Sequence, residues 1–198
     1  MTQSDVRGLL IAFEGLDQSG KQTQAELLRH RLTDSGRDVR LLSFPDYDTV
    51  IGAEIGRALR GERVYGPDAM QLLYVANRYE WKLRMVDAQT AGTILLCDRY
   101  LASSVAYGEA QGVDAAWLVE IQKYLPQPDV TILLDLSPDE SARRKSAGRD
   151  EYERDLALLA RVRDNYLRQA SSSWVRIDAD RDRDAVAAEV FATVAKRL

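Results

Sequence analysis

The chain has one cysteine, Cys97, and one histidine, His30. A single thiol cannot form an internal disulfide and says nothing against a cytosolic location. A lone histidine within a helical stretch is not a metal site, and no Cys or His spacing suggests zinc. No nucleophile elbow of the Gly-x-Ser-x-Gly kind is present. No apolar run approaches the twenty residues that a membrane helix needs. The opening segment Met1–Arg7 is polar, so no secretory leader is expected. Positive charge is in deficit, with 27 Lys and Arg against 31 Asp and Glu. A net charge of −4 argues against non-specific nucleic-acid binding. There are no internal repeats and no low-complexity linker. The expectation is a cytoplasmic protein with neither a nucleic-acid nor a membrane partner. Its 198 residues, 45% hydrophobic, suffice for one domain over 1–198 with a sizeable core.

Residues 15 to 23 read Gly15-Leu16-Asp17-Gln18-Ser19-Gly20-Lys21-Gln22-Thr23. They follow the apolar run Leu9–Phe13 and lead into the helical stretch that continues through Gln24 to Leu28. Strand, glycine loop and helix together make a phosphate-binding loop. Two glycines free the backbone for positive φ, so several N–H groups can face an anion at a helix N-terminus. Lys21 adds a full charge where the outer phosphates of a nucleotide would lie. The Ser or Thr that normally follows this lysine, and sits on Mg²⁺, is replaced by Gln22. A glutamine carbonyl is an oxygen ligand too, direct or through one water. Thr23 is rotated by roughly 100° around the helix and is no simple substitute.

Apolar strand candidates are Leu9–Phe13, Val39–Phe44, Thr93–Cys97, Val130–Leu136 and Trp174–Ile177. Continuous rather than alternating apolar character suits parallel strands covered on both faces. Helical patterns fall at about 21–35, 50–60, 68–91, 114–124, 138–147, 152–170 and 182–197. Alternation of strand and helix predicts a doubly wound α/β fold, a five-stranded parallel sheet with helices on both faces. Its ligand site lies at the carboxyl ends of the strands.

Further residues with chemical potential fall at those ends. Asp98-Arg99-Tyr100 closes the third strand. Asp98 is placed like the second magnesium-holding carboxylate of phosphate-loop enzymes, and Arg99 like a phosphoryl-stabilising cation. The alternative is a strand-end salt bridge. Tyr74 and Arg78, four apart on a helix, share a face that suits stacking on a base and donating to its edge. The alternative there is an ordinary core aromatic. Phe44-Pro45-Asp46-Tyr47 ends the second strand, with Asp46 either a ligand contact or a turn residue. Residues 143 to 153, Arg-Arg-Lys-Ser-Ala-Gly-Arg-Asp-Glu-Tyr-Glu, suit a lid over phosphates at about 142–153, or else a solvated charged face.

Taken together these residues resemble the thymidylate kinase family over nearly the whole chain. The likeness runs in order through Phe13-Glu14-Gly15-Leu16-Asp17, Gly20-Lys21, Phe44-Pro45, Ala76-Asn77-Arg78, Asp98-Arg99-Tyr100, Pro126-Gln127-Pro128-Asp129 and Tyr152-Glu153. The resemblance implies a homodimeric, lid-closing kinase that phosphorylates dTMP with ATP and Mg²⁺. By it, Asp17 contacts the sugar 3′-hydroxyl, Tyr74 stacks on thymine and Arg78 donates to its O4. Arg99 holds phosphate, Ser103 and Tyr107 line the thymidine pocket, Phe44 belongs to the substrate-binding set, and Arg144 packs by adenine. Three positions depart from the family pattern. Tyr47 stands where many relatives have Arg, Gln18 stands where some carry a catalytic Arg, and Gln22 replaces the hydroxyl. A neutral Gln18 resembles the type whose arginine comes from the lid, with Arg149 or Lys145 as candidates. The competing expectations are a phosphate-loop kinase acting on another nucleotide or nucleoside, and a nucleotide-binding regulatory protein whose chemistry has decayed. A phosphate-loop GTPase lacks support because no Asn-Lys-x-Asp motif occurs.

Overall fold

The structure is a computed structural model that describes residues 7–144 and 155–198. Five strands, β1 (Leu10–Glu14), β2 (Val39–Ser43), β3 (Ile94–Asp98), β4 (Val130–Asp135) and β5 (Trp174–Asp178), form one parallel sheet in the order β2-β3-β1-β4-β5. The three inner strands are almost wholly buried, as their continuous apolar runs require. The outer strands β2 and β5 are partly exposed. Each expected strand is observed, within one residue of its expected ends.

Successive side chains of a strand point to opposite faces. Ile11 and Phe13 of β1 therefore pack with Ile132 and Leu134 of β4 under α1 (Lys21–Asp34) and the C-terminal α8 (Arg183–Ala195). Leu10 and Ala12 face the other way, with Leu95, Cys97 and Met85 beneath α3 (Pro67–Thr90). Leu133 of β4 joins Ala102, Ala106, Leu159 and Val162, which belong to α4 (Leu101–Ala110) and α7 (Leu156–Gln169). Shorter helices complete the described residues: α2 (Val50–Leu59) beside α3, α5 (Ala115–Glu120) beside α4, and α6 (Pro138–Arg144) after β4.

Helix starts follow from caps. Thr49, Asp114, Asp155 and Asp182 each accept a hydrogen bond from a backbone N–H of the first turn. One helix departs from the periodicity reading: α4 has no counterpart among the expected helices. Its sequence, LASSVAYGEA, has small residues all round, and seven of its ten residues are buried. A helix enclosed on most sides has no polar face to create a 3.6-residue period. The helix expected at 114–124 ends at Glu120, and its remainder is a series of turns.

Candidate active site

The site forms where β1 and β3 end side by side, Phe13 paired in register with Asp98. After β1 the chain turns through Gly15 at φ 139° and Gly20 at φ 87° into α1. A Cβ on Gly15 would stand 2.4 Å from the Leu134 carbonyl oxygen, so only glycine permits this passage beside β4. Gln18 and Arg99 are the described non-glycine residues with positive φ, at 61° and 62°. Both lie in the site, where such strain is characteristically held by surrounding contacts.

Lys21 is the first residue of α1 and is buried. Its Nζ donates to the Leu16 carbonyl at 2.7 Å. Burial and the nearby Arg99 pull its pKa down to about 8, against the partial support of Asp17 and Asp98. Asp17 shows the opposite balance. Burial alone would raise its pKa, but Arg99 and Lys21 outweigh burial and hold it well below the usual carboxylate range.

Arg99 is the hub. Nη2 donates to Asp17 Oδ1 at 2.5 Å and to the Tyr107 hydroxyl at 3.3 Å. Nη1 reaches the Gly15 carbonyl and Ser103 Oγ, both at 3.3 Å. Tyr107 in turn donates to Asp17 Oδ2 at 3.1 Å. Beneath this layer Glu14, fully buried, accepts from Tyr100 N at 2.9 Å, Ser103 Oγ at 2.6 Å and the Tyr166 hydroxyl at 3.2 Å. A buried carboxylate is tolerable only when its oxygens are satisfied in this way. Burial raises the phenol pKa of both Tyr107 and Tyr166, so each remains a hydrogen-bond donor.

An open cleft of about 650 Å³ lies over this network. All seven residues expected to bind the acceptor line it: Asp17, Phe44, Tyr74, Arg78, Arg99, Ser103 and Tyr107. They come from five separate segments, brought together by the parallel sheet. Tyr47, the first family departure, lines it as well. Arg78 is buried, and its Nη1 donates to Ser104 Oγ at 2.7 Å and Gln122 Oε1 at 3.3 Å. Asp46 faces a neighbouring groove instead. Its carboxylate accepts from Trp81 Nε1 at 2.8 Å and Asp48 N at 3.1 Å, and its backbone N–H donates to Asn77 Oδ1 at 2.8 Å. Asp46 is thus a turn residue clamped to α3.

On the donor side, Leu16 and Ser19 are buried while Gln18, Gln22 and Thr23 are exposed. Gln22 Nε2 donates to Glu26 Oε1 at 3.3 Å, one turn along α1. Ser141 Oγ donates to the Asp17 carbonyl at 2.8 Å, tying α6 to the phosphate loop. Arg144 spans Glu140, the Gln18 carbonyl, the Ala179 carbonyl and Asp180. Arg143 pairs with Glu140. Lys145, Arg149, Tyr152 and Glu153 lie outside the described residues, and with them most of the expected lid. Among the described residues no group of three or more His, Cys, Asp or Glu side chains could hold a metal ion. Asp98 does present a buried Oδ1 without a hydrogen-bond partner, a fit for a hydrated cation at the loop.

Three site residues escaped the sequence reading. Glu14 had a signal, since a carboxylate ending an apolar strand is the feature that singled out Asp98. Tyr166 and Gln71 had none, because each is an ordinary position of a helical pattern.

A family model described as thymidylate kinase matches residues 13–190. A thymidylate kinase from Arabidopsis thaliana is 38% identical over 180 residues, 90% of this chain and 68% of that protein. A probable thymidylate kinase from Pyrococcus horikoshii is 39% identical over 173 residues, 83% of this chain and 84% of that protein. The solved thymidylate kinase of Candida albicans superposes with a TM-score of 0.87 at 30% identity, covering 96% of this chain and 92% of its own. With the phosphate loop, the strand-end Asp98-Arg99 pair and the cleft already in one place, the chain belongs to the thymidylate kinase family.

Proposed function

We propose that this protein transfers the γ-phosphoryl group of ATP to dTMP, giving dTDP, one phosphoryl transfer short of dTTP. The observation that carries the reading is the cleft itself: every acceptor-side expectation lines one space, and that space opens at the phosphate loop. An acceptor phosphate has a second pKa near 6 and is already an anion at neutral pH, so it needs little help from a general base. Its 5′-phosphate oxygen attacks the γ-phosphorus in line, and the nucleotide leaving group departs as ADP. The demand on the protein is alignment and charge neutralisation. Lys21 meets the outer phosphates of ATP, and Arg99 meets the acceptor phosphate, already turned toward the cleft by Asp17. Tyr74 stacks on the base and Arg78 donates to its C4 carbonyl.

Mg²⁺, when bound, neutralises charge on the ATP phosphates. Its fit here rests on the unpartnered Asp98 Oδ1, with Gln22 direct or through water, and on the absence of any acidic cage among the described residues. Magnesium keeps several waters and takes few protein ligands. The remaining cation we assign to Arg149, with Lys145 as the alternative. The support is that Gln18 is neutral and that Arg143 and Arg144 are already engaged by Glu140. Arg144 additionally flanks the donor side, consistent with a place beside adenine.

A homodimer is the expected assembly. Leu72, Leu83 and Val86 are exposed on one face of α3, turned away from the cleft residues. The whole chain acts as one kinase domain with a lid at about 142–153, and a cytoplasmic site of action follows from the reading.

The deciding experiment is coupled ADP release with dTMP, dUMP, dCMP and dGMP as acceptors. Turnover should be highest with dTMP. ATP binding without turnover on any acceptor would leave the decayed, regulatory reading; preference for another acceptor would leave a different nucleotide kinase.

A further inference from the structure

Glu14 ends β1, and Arg99 directly follows β3, the neighbouring strand. The Arg99 N–H donates to the Phe13 carbonyl at 2.9 Å. Arg99 then leaves the strand with φ 62°, a left-handed conformation that an arginine keeps only where its surroundings enforce it. One carboxylate supplies much of that enforcement. Glu14 Oε1 accepts from the Tyr100 N–H, the next backbone donor along the chain, at 2.9 Å. Glu14 Oε2 accepts from Ser103 Oγ at 2.6 Å and from the Tyr166 hydroxyl at 3.2 Å. Those two hydroxyl oxygens lie 2.8 Å apart, and Arg99 Nη1 reaches them at 3.3 and 3.5 Å. Glu14 thus anchors both the backbone beside Arg99 and the Nη1 edge of its guanidinium.

The Nη2 edge is held by Asp17 and Tyr107, which line the cleft. Glu14 differs from them. It is fully buried, so it reaches a ligand only through the groups it holds. A carboxylate suits this place because both of its oxygens accept. Its neighbours are a backbone N–H and two hydroxyls, all able to donate. A glutamine of the same shape would offer one acceptor and one donor. Arg78 on the far side of the cleft is bonded separately, by Ser104 and Gln122.

We propose that Glu14 is the positioning residue for the acceptor-phosphate cation. It fixes the Arg99 backbone through Tyr100 N and the guanidinium through Ser103 and Tyr166, so that the charge is aimed into the cleft before the nucleotide arrives. Fixing a donor in advance removes the ordering cost of the contact it makes. This rests on Arg99 meeting the acceptor phosphate. The loss of Glu14 therefore falls on recognition of the phosphate more than on recognition of the nucleoside.

The test compares dTMP with thymidine, which has the same base and sugar and no phosphate. The ratio of their dissociation constants, measured by calorimetry, reports the phosphate contact. Glu14→Ala should lower the preference for dTMP over thymidine by about tenfold, the range for losing a well-placed charge-assisted hydrogen bond. Glu14→Gln keeps the volume and the acceptor on Tyr100 N, but its amide competes with Arg99 Nη1 for Ser103 Oγ. It should lower the preference about threefold, and it carries the test where Glu14→Ala does not fold. In an Arg99→Ala background, Glu14→Gln should change the preference no further, because no guanidinium is left to position. A merely structural Glu14 would weaken dTMP and thymidine in the same proportion, and that result overturns the assignment. So does a further, additive loss of preference in the Arg99→Ala background. If the unmodified protein binds dTMP no more tightly than thymidine, or if Arg99→Ala keeps the full preference, the reading of Arg99 as the phosphate-holding cation fails, and this inference with it.

Discussion

The two sides of the site are built differently. The acceptor side is cross-braced: Asp17, Arg99 and Tyr107 bond one another, Glu14 ties three donors together below them, and Asn77 pins the Asp46 turn. The donor side is open. Gln18, Gln22 and Thr23 are exposed, and the loop is anchored from behind through Ser141 and Arg144. Donors and acceptors fixed before an acceptor nucleotide arrives favour selectivity, because a mobile group pays ordering entropy for each contact it makes. A polyphosphate needs only N–H groups and cations, which a glycine loop and a helix start supply. Among the described residues, the denser buried hydrogen-bond network therefore lies under the cleft, while Ser19 and Lys21 are the buried polar residues of the phosphate loop.

The comparison is sharpened most by Lys21, a buried cation at the start of α1 beside the phosphate loop. Lys21→Ala should reduce kcat by about 10²–10³-fold or more, in the range for removing one preorganised charge donor. The melting temperature should stay nearly unchanged, since burying the ammonium is itself unfavourable. An active mutant would mean that the loop amides alone suffice.

A smaller effect is expected from the base-reading side. A guanidinium only donates, so it suits the thymine C4 carbonyl and opposes the cytosine amine. The unmodified protein should use dTMP in preference to dCMP by about tenfold or more. Arg78→Ala should narrow that ratio by harming dTMP most, measured as paired kcat/KM values. If the ratio does not move, Arg78 is a structural partner of Ser104 and Gln122 only.

The pH dependence separates the sides in another way. Lys21 in the free protein titrates at about 8, below its ordinary 10.5. kcat/KM for ATP should therefore fall as pH rises through about 8, while kcat, which reports the phosphate-bound state, should fall only at higher pH. For stability the sign is reversed. Between about 8 and 10.5 the unfolded chain holds more protons at this lysine, so its contribution to stability rises with pH. The acceptor carboxylate behaves oppositely. Asp17 is held below its unfolded pKa, so its stabilisation is present above about pH 4 and is lost as pH falls further. Acid unfolding of Asp17→Asn should show a flatter limb there.

The smallest effects concern magnesium. At fixed ATP, Asp98→Asn should raise the Mg²⁺ needed for half-maximal rate several-fold, on the order of the worth of one charge near the cation. Gln22→Ser should preserve activity and shift that requirement slightly downward. Identical titrations for Asp98→Asn and the parent would remove Asp98 from the metal's surroundings.

What the sequence determined by itself was whatever is encoded within a few residues of the chain. The phosphate loop is a contiguous nine-residue string, and each strand is a contiguous apolar run. A parallel sheet buried on both faces gives its strands this continuous apolar character. The family resemblance carried the cleft residues onto numbered positions, and the sheet then gathered all seven into one space. What only the tertiary structure decided were helices and contacts without a local signature. Helix α4 is enclosed by α3, α5 and α7, so its sequence shows no polar face to read. Asp46 turned out to be a turn residue because Asn77 and Trp81, 31 and 35 positions away, take its hydrogen bonds. Tyr166 reaches Glu14 across 152 positions of sequence, and the unsatisfied oxygen of Gln71 exists only once α4 has closed over it. Local patterns fix elements because they act through the backbone next door. The partners of buried polar groups are fixed by packing, which no window along the chain contains.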